Sequence, residues 1–148
     1  MSILSDSLKR LNIPLLIRTA TTWDQAPAVL LELCQQLGID DVHVNEEYGI
    51  HETRRDHAVA DALKAQGIGF HSYLDQLLFA PGSLLTQSGS YFKVFTQFRR
   101  LCYNRLHMAM PKTVTAPKAQ AALLIKRDSV PQAIPGFETP QQLSLIHI

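Results

Sequence analysis

The stretch Asp41-Val42-His43-Val44-Asn45-Glu46-Glu47-Tyr48-Gly49-Ile50-His51-Glu52-Thr53-Arg54-Arg55-Asp56 decides the reading of the fold. Val42 and Val44 alternate with polar residues, as in a strand with one buried face, and the strand runs out into a polar, carboxylate-rich turn, Asn45 to Gly49. A helical pattern follows to about Gln66, and after Gly67 the run Ile68 to Leu74 reads as a further strand. Strand, helix and strand in close succession is the βαβ unit, whose two strands lie parallel.

Upstream, Ser5 to Leu11 reads as the end of a helix, and Ile13 to Arg18, opened by Pro14, as a short strand. Thr22 and Gln25 fit a capping box, Leu30, Leu33, Cys34 and Leu37 recur at i, i+3, i+4 and i+7, and Gly38 supplies the stop. Pro27 belongs in the first turn of that helix, where its missing N–H is least costly. Downstream, Ala80 to Ser90 reads as a long surface loop, and helical spacing resumes from Tyr91 to Met108 through Phe95, Phe98, Cys102 and Leu106. From Pro111 onward, Pro117, Pro131, Pro135 and Pro140 give the character of a linker. This alternation predicts an α/β fold: a doubly wound, Rossmann-like parallel sheet with flanking helices, followed by an extended C-terminal linker.

Length and composition agree. A chain of 148 residues suffices for one ordinary domain plus a tail, and 46% hydrophobic against 18% charged residues is the make-up of a globular chain with a core. No apolar run approaches the roughly 20 residues needed to cross a bilayer, and Met1 to Arg10 lacks an apolar block with a cleavage site, which points to the cytoplasm and no membrane partner. Cys34 and Cys102 are far apart, support neither a disulfide framework nor a metal knuckle, and read as small buried apolar groups. The net charge of +1 conceals an asymmetry: the chain is acidic through Asp75, whereas from Gln76 to Arg127 there is no carboxylate among Lys93, Arg99, Arg100, Arg105, Lys112, Lys118, Lys126 and Arg127. Such a block suits a polyanion or an acidic neighbouring domain, or is simply a solvated basic face.

Ligands of open parallel sheets sit beyond the carboxyl ends of the strands, so the turn after Val44 is the place to look for a site. Asn45, Glu47, Tyr48, His51, Glu52, Arg55 and Asp56 gather there. Glu52 falls near the positive end of a helix, which favours a carboxylate, and there it could accept two hydrogen bonds from a planar amide or amidine such as a pterin ring. The same spacing also fits a plainer arrangement, in which Glu47, Glu52, Arg55 and Asp56 cap the helix and pair along its surface. The phosphate-cradling patterns GxGxxG and GxxxxGK[ST] are absent, as is the GxSxG elbow. His51-Glu52 opens like a zincin motif, but Arg55 stands where the second histidine would fall, so no metal ligand set is assigned. His43, His57, His71 and His107 read as structural residues.

At this cluster the sequence resembles the photolyase and cryptochrome family, whose first domain carries Asn-x-Glu-Tyr, three residues, then Glu-x-x-Arg-Asp. Asn45-Glu46-Glu47-Tyr48 and Glu52-Thr53-Arg54-Arg55-Asp56 stand in that pattern, and Ala80-Pro81-Gly82-Ser83 with Tyr91-Phe92-Lys93-Val94-Phe95-Thr96 is similar to the family's "PG…YKVFTPF" loop and helix entry. The similarity runs from about Leu11 to Pro140. It implies residues 1–110 as a partial antenna domain holding a light-harvesting pterin (methenyltetrahydrofolate) or deazaflavin, and residues 111–148 as a linker toward an absent helical domain that holds FAD. The resemblance places the chromophore against Glu52, His51 and Asn45. His51 stands where folate-binding members carry Asn, and imidazole can donate or accept one bond where an amide does both, so the two chromophores stay open. Gln97 replaces the family's Pro after Thr96.

The activity the resemblance implies is light-driven repair of cyclobutane pyrimidine dimers in damaged DNA, a carbon–carbon lyase reaction carried out by the full-length protein as a monomer. No catalytic residue is assigned here, and this chain alone is expected to be inactive. The family's opening strand, reading like VWFRxDLRxxDN, has no counterpart before Met1, which implies truncation at that end as at the other. Gly136-Phe137-Glu138-Thr139-Pro140 resembles the lead into the helical domain, and Leu143 to Ile148 has no counterpart. A cryptochrome-type blue-light photoreceptor and a stand-alone pterin- or nucleotide-binding α/β module are the alternatives.

Overall fold

The structure, a computed structural model, describes residues 2–132. The readings placed on Pro135, on Gly136 to Pro140 and on Leu143 to Ile148 lie outside the described residues. The chain divides into two units, one of Thr19–Val114 and the other of Met1–Arg18 with the chain from Thr115 on.

In the larger unit a short 3-10 turn, Trp23–Gln25, leads into α2 (Ala26–Leu37), followed by β1 (Asp41–Asn45), α3 (Ile50–Lys64), β2 (Gly69–Tyr73) and α4 (Phe95–Met108). β1 and β2 pair in parallel, with Val42 beside Phe70, His43 beside His71 and Asn45 beside Tyr73. With α3 as the crossover, this is the βαβ unit read from the sequence, and with α1 (Ser2–Arg10) of the smaller unit the described residues form an α/β fold with four α-helices. Side-chain alternation sorts the two faces: Val42 and Phe70 join the core, whereas Asp41, His43, Asn45, His71 and Tyr73 are exposed.

Cys34, Val59 and Leu63 are fully buried and form the centre of the core, with Leu30, Leu31, Ile39 and Ile68 packed around them. Burial pushes the Cys34 thiol up, which keeps it an unreactive apolar filler. Pro27 sits in the first turn of α2 as its chemistry requires. At the other end Gly38 takes a left-handed φ of 64°, and the Cys34 carbonyl accepts from the amides of both Gly38 and Ile39. The expected capping box of Thr22 and Gln25 does not form. Thr22 makes no side-chain cap bond, and Gln25 Oε1 instead accepts from the amide and hydroxyl of Thr21.

Two further expectations need correction. Cys102 is only half-buried, because α4 contributes nothing to the Cys34–Val59–Leu63 core and leaves Phe95, Tyr103 and Met108 exposed. Ile13 to Arg18, expected as a strand, has no regular secondary structure and carries no ladder. Its partner is the stretch 120–128: the Gln120 amide donates to the Leu11 carbonyl and the Asp128 amide to the Leu15 carbonyl. Four residues on one side thus match eight on the other, a spacing no strand register can hold. Pro14 has no N–H to give, and the Ile17 amide donates to the Asp128 carboxylate at 2.8 Å rather than to a carbonyl. α1 ends on Asn12 at φ 59°, a left-handed position that asparagine tolerates.

Candidate functional site

The turn leaving β1 is fixed from both ends. The Glu46 amide extends the strand pairing by donating to the Tyr73 carbonyl at 2.9 Å, and the Asn45 side-chain amide donates to Asp75 Oδ2 at 3.0 Å. At the far end Gly49 is extended at φ −67° and ψ 150°, and its carbonyl accepts from the Thr53 amide to open α3. Between them, Tyr48 donates its hydroxyl to Glu46 Oε2 at 3.1 Å, and partial burial together with that carboxylate pushes the Tyr48 hydroxyl up.

Arg55 holds the turn to the helix. Its Nη2 donates to Glu47 Oε2 at 2.8 Å, and its Nε to Asp56 Oδ1 at 2.8 Å. The side chain is three-quarters buried, and the bond to Glu47, ahead of the contacts with Asp56, pushes the guanidinium's already high pKa further up. The indole of Trp23 lies against the guanidinium, its centroid 5.4 Å from Cζ, and the His51 ring stands nearly parallel to it at 15° and 6.4 Å. His51 and Arg55 are four residues apart on α3, hence on one face of the helix.

Glu52 is the third residue of α3. Its carboxylate folds back against Gly49, so closely that a methyl group built on Gly49 would collide with it. Among the described residues no side-chain hydrogen bond or salt bridge engages Glu52, and the helix N-terminus supplies the positive potential beside it.

The three residues singled out from the sequence therefore stand at one strand-to-helix connection with separate partners: Asn45 with Asp75, His51 beside Trp23, Glu52 over Gly49. The plainer arrangement also holds in part, since Glu47, Arg55 and Asp56 pair with one another while Glu52 does not join them. A cavity of about 340 Å³ opens at the turn among Glu46, Glu47, Tyr48, Asp56 and Phe70, and a second of about 270 Å³ lies beside Thr21, Thr22, Trp23, Ala26 and Arg55.

Two features escaped the sequence reading. Trp23, the only tryptophan of the chain, is 51% exposed, and no motif in the sequence marks it. His43 and His71, far apart in sequence, stack at 4.7 Å and 17° because the parallel register sets them side by side. Tyr73 reaches the ring of His43 at 2.9 Å and Asp41 that of His71 at 2.8 Å. Among the described residues no group of three or more His, Cys, Asp or Glu side chains is placed to hold a metal, and no helix is long and apolar enough to cross a membrane.

Known proteins similar to this chain include photolyases and a cryptochrome, Cryptochrome-1 of Arabidopsis thaliana, to which it is 28% identical over 125 residues, 84% of this chain and 17% of that protein. The chain is 33% identical over 97 residues to the deoxyribodipyrimidine photo-lyase of Vibrio cholerae, an overlap of 66% of this chain and 21% of that protein. To the deoxyribodipyrimidine photo-lyase of Escherichia coli it is 28% identical over 116 residues, 78% of this chain and 24% of that one. A crystal structure of a bacterial class III photolyase from Agrobacterium tumefaciens superposes with a TM-score of 0.67 at 28% identity, over 86% of this chain and 26% of that one. The chain thus spans less than a third of the length of the curated relatives it matches. The family model for DNA photolyase matches residues 1–119, which takes in β1, the carboxylate-rich turn, α3, β2 and α4, and the chain accordingly belongs to the DNA photolyase family.

Proposed function

We propose that this chain supplies the chromophore-holding portion of a deoxyribodipyrimidine photo-lyase, and that Glu52, His51 and Asn45 line the chromophore. The observation that carries this reading is the Glu52 carboxylate: it sits in the first turn of α3, beside the free amides of the helix end, and none of the neighbouring cations takes it up. A carboxylate so placed accepts two parallel hydrogen bonds from the amidine edge of a reduced pterin or the amide edge of a deazaflavin. His51 offers one ring nitrogen, and Asn45 an amide held in place by Asp75.

When bound, methenyltetrahydrofolate or a deazaflavin supplies absorption of near-ultraviolet or blue light and passes the excitation on. In this reading residues 1–110 hold and orient the chromophore, and residues 111–148 lead to a helical domain that carries FAD. There the energy drives electron transfer to a pyrimidine dimer flipped out of the duplex. Damaged DNA is met through the whole protein, a cytoplasmic monomer, and this chain on its own repairs nothing.

The test is a titration of the chain with methenyltetrahydrofolate and, separately, with a deazaflavin, following the near-ultraviolet and blue absorbance. Saturable binding of one of them, weakened about tenfold or more in Glu52→Ala by loss of a charged two-bond acceptor, is the expected result. Equal affinity of the wild type and Glu52→Ala for both compounds removes Glu52 from the site.

A further inference from the structure

We infer that Trp23 is the stacking face of a second part of this site, taking a flat, uncharged heteroaromatic ring in the hollow beside it. The inference rests on the chromophore reading above and adds a residue that neither composition nor motif pointed to. Trp23 packs against the ridge that His51 and Arg55 form along α3, its ring 5.4 Å from the guanidinium carbon and nearly parallel to His51. That ridge is rigid where it counts, because Arg55 is held by Glu47 and Asp56 at 2.8 Å each. The indole is therefore fixed in direction although half of its surface stays open to solvent.

An exposed, pre-oriented indole next to a hollow of about 270 Å³ is what a planar ligand needs, since stacking then costs little ordering of the protein. The chemistry of the lining narrows the ligand class. Arg55 is paired with two carboxylates, and the Thr21 hydroxyl and amide are taken by Gln25. Ala20 and Ala26 complete the wall. With the Arg55 charge and the Thr21 hydroxyl and amide taken up internally, the hollow selects for a ring face rather than for charge. A bicyclic pterin or tricyclic deazaflavin ring meets that description, and a phosphate or carboxylate group does not.

The experiment uses the whole 148-residue chain as wild type, Trp23→Ala, Trp23→Phe and Glu52→Ala, titrated with methenyltetrahydrofolate and with a deazaflavin. The readout is the circular dichroism that the compound acquires in its own absorption band, with far-ultraviolet dichroism confirming that each variant is folded. A lost stacking partner weakens binding by roughly ten- to a hundredfold, so Trp23→Ala is expected to fall in that range while Trp23→Phe, which keeps an aromatic face, stays within about threefold of wild type. Binding to Trp23→Ala with unchanged affinity overturns the stacking role and leaves the chromophore reading intact. Absence of binding by the wild type removes both. Trp23→Phe falling as far as Trp23→Ala also overturns the inference, because it makes the indole's packing against α3, not its open face, the determinant.

Discussion

Arg55 Nη2 and Glu47 Oε2 lie 2.8 Å apart and join helix α3 to the turn that leaves β1. This bond decides where the helix begins relative to the strand, so everything carried by the first turn of α3, His51 and Glu52 included, is positioned through it. Replacing Arg55 with Ala leaves Glu47 and Asp56 facing each other without a cation and removes the support under Trp23. Glu47 is 42% exposed and water screens it, so the cost is about 1–2 kcal/mol rather than that of a fully buried pair. A urea-unfolding series checks it, and Arg55→Lys recovers only part of the loss, since an ammonium cannot make the fork to two carboxylates.

Gly49→Ala separates positioning from folding. The backbone at Gly49 suits any residue, so stability changes little, but the new methyl group meets the Glu52 carboxylate and displaces it from the helix end. The expected outcome is an unfolding midpoint near that of the wild type with chromophore affinity lowered toward that of Glu52→Ala.

The core is small enough for a single residue to matter. Leu63 is completely buried against Cys34 and Val59, and Leu63→Ala is expected to cost about 2–5 kcal/mol, through lost burial and the cavity left behind. A fall of the unfolding midpoint without a change in denaturant slope would confirm it.

In the smaller unit, Asp128 accepts from the Ile17 amide at 2.8 Å and pairs with Arg18 at 2.7 Å. The Ile17 amide first, then Arg18, hold its carboxyl below the usual range. A carboxyl whose pKa is lower folded than unfolded stabilises the fold fully above the unfolded value of about 4, and that contribution fades as the pH falls through the depressed value. The advantage of the wild type over Asp128→Asn is therefore expected to be constant above about pH 5 and to close below about pH 4, measured as urea midpoints at each pH.

Much of this was legible in the sequence because local chemistry and tertiary structure agree there. Gly38 stops α2, Pro27 opens it, the Val42–Val44 alternation gives β1 with one buried face, and the carboxylate-rich turn lies at the strand's end where a ligand would. What escaped depended on partners distant in the chain. Ile13 to Arg18 has the composition of a strand, but its neighbour offers a carboxylate and an uneven spacing instead of a ladder. The stack of His43 on His71 exists only through the register of two strands joined by a helix. No motif or periodicity singles out Trp23, and only the fold shows it lying beside His51 and Arg55.

The central claim is that a flat chromophore is held at the first turn of α3. An amide-resolved NMR titration of the isotopically labelled chain with methenyltetrahydrofolate and with a deazaflavin locates the ligand directly. The account predicts that the amides of Gly49 to Thr53 and the Trp23 indole N–H shift together and saturate with one of the two compounds, while the amides of α4 stay in place. Shifts that gather on α4, or on residues 2–18 and 115–132, with Gly49 to Thr53 unmoved, would contradict it.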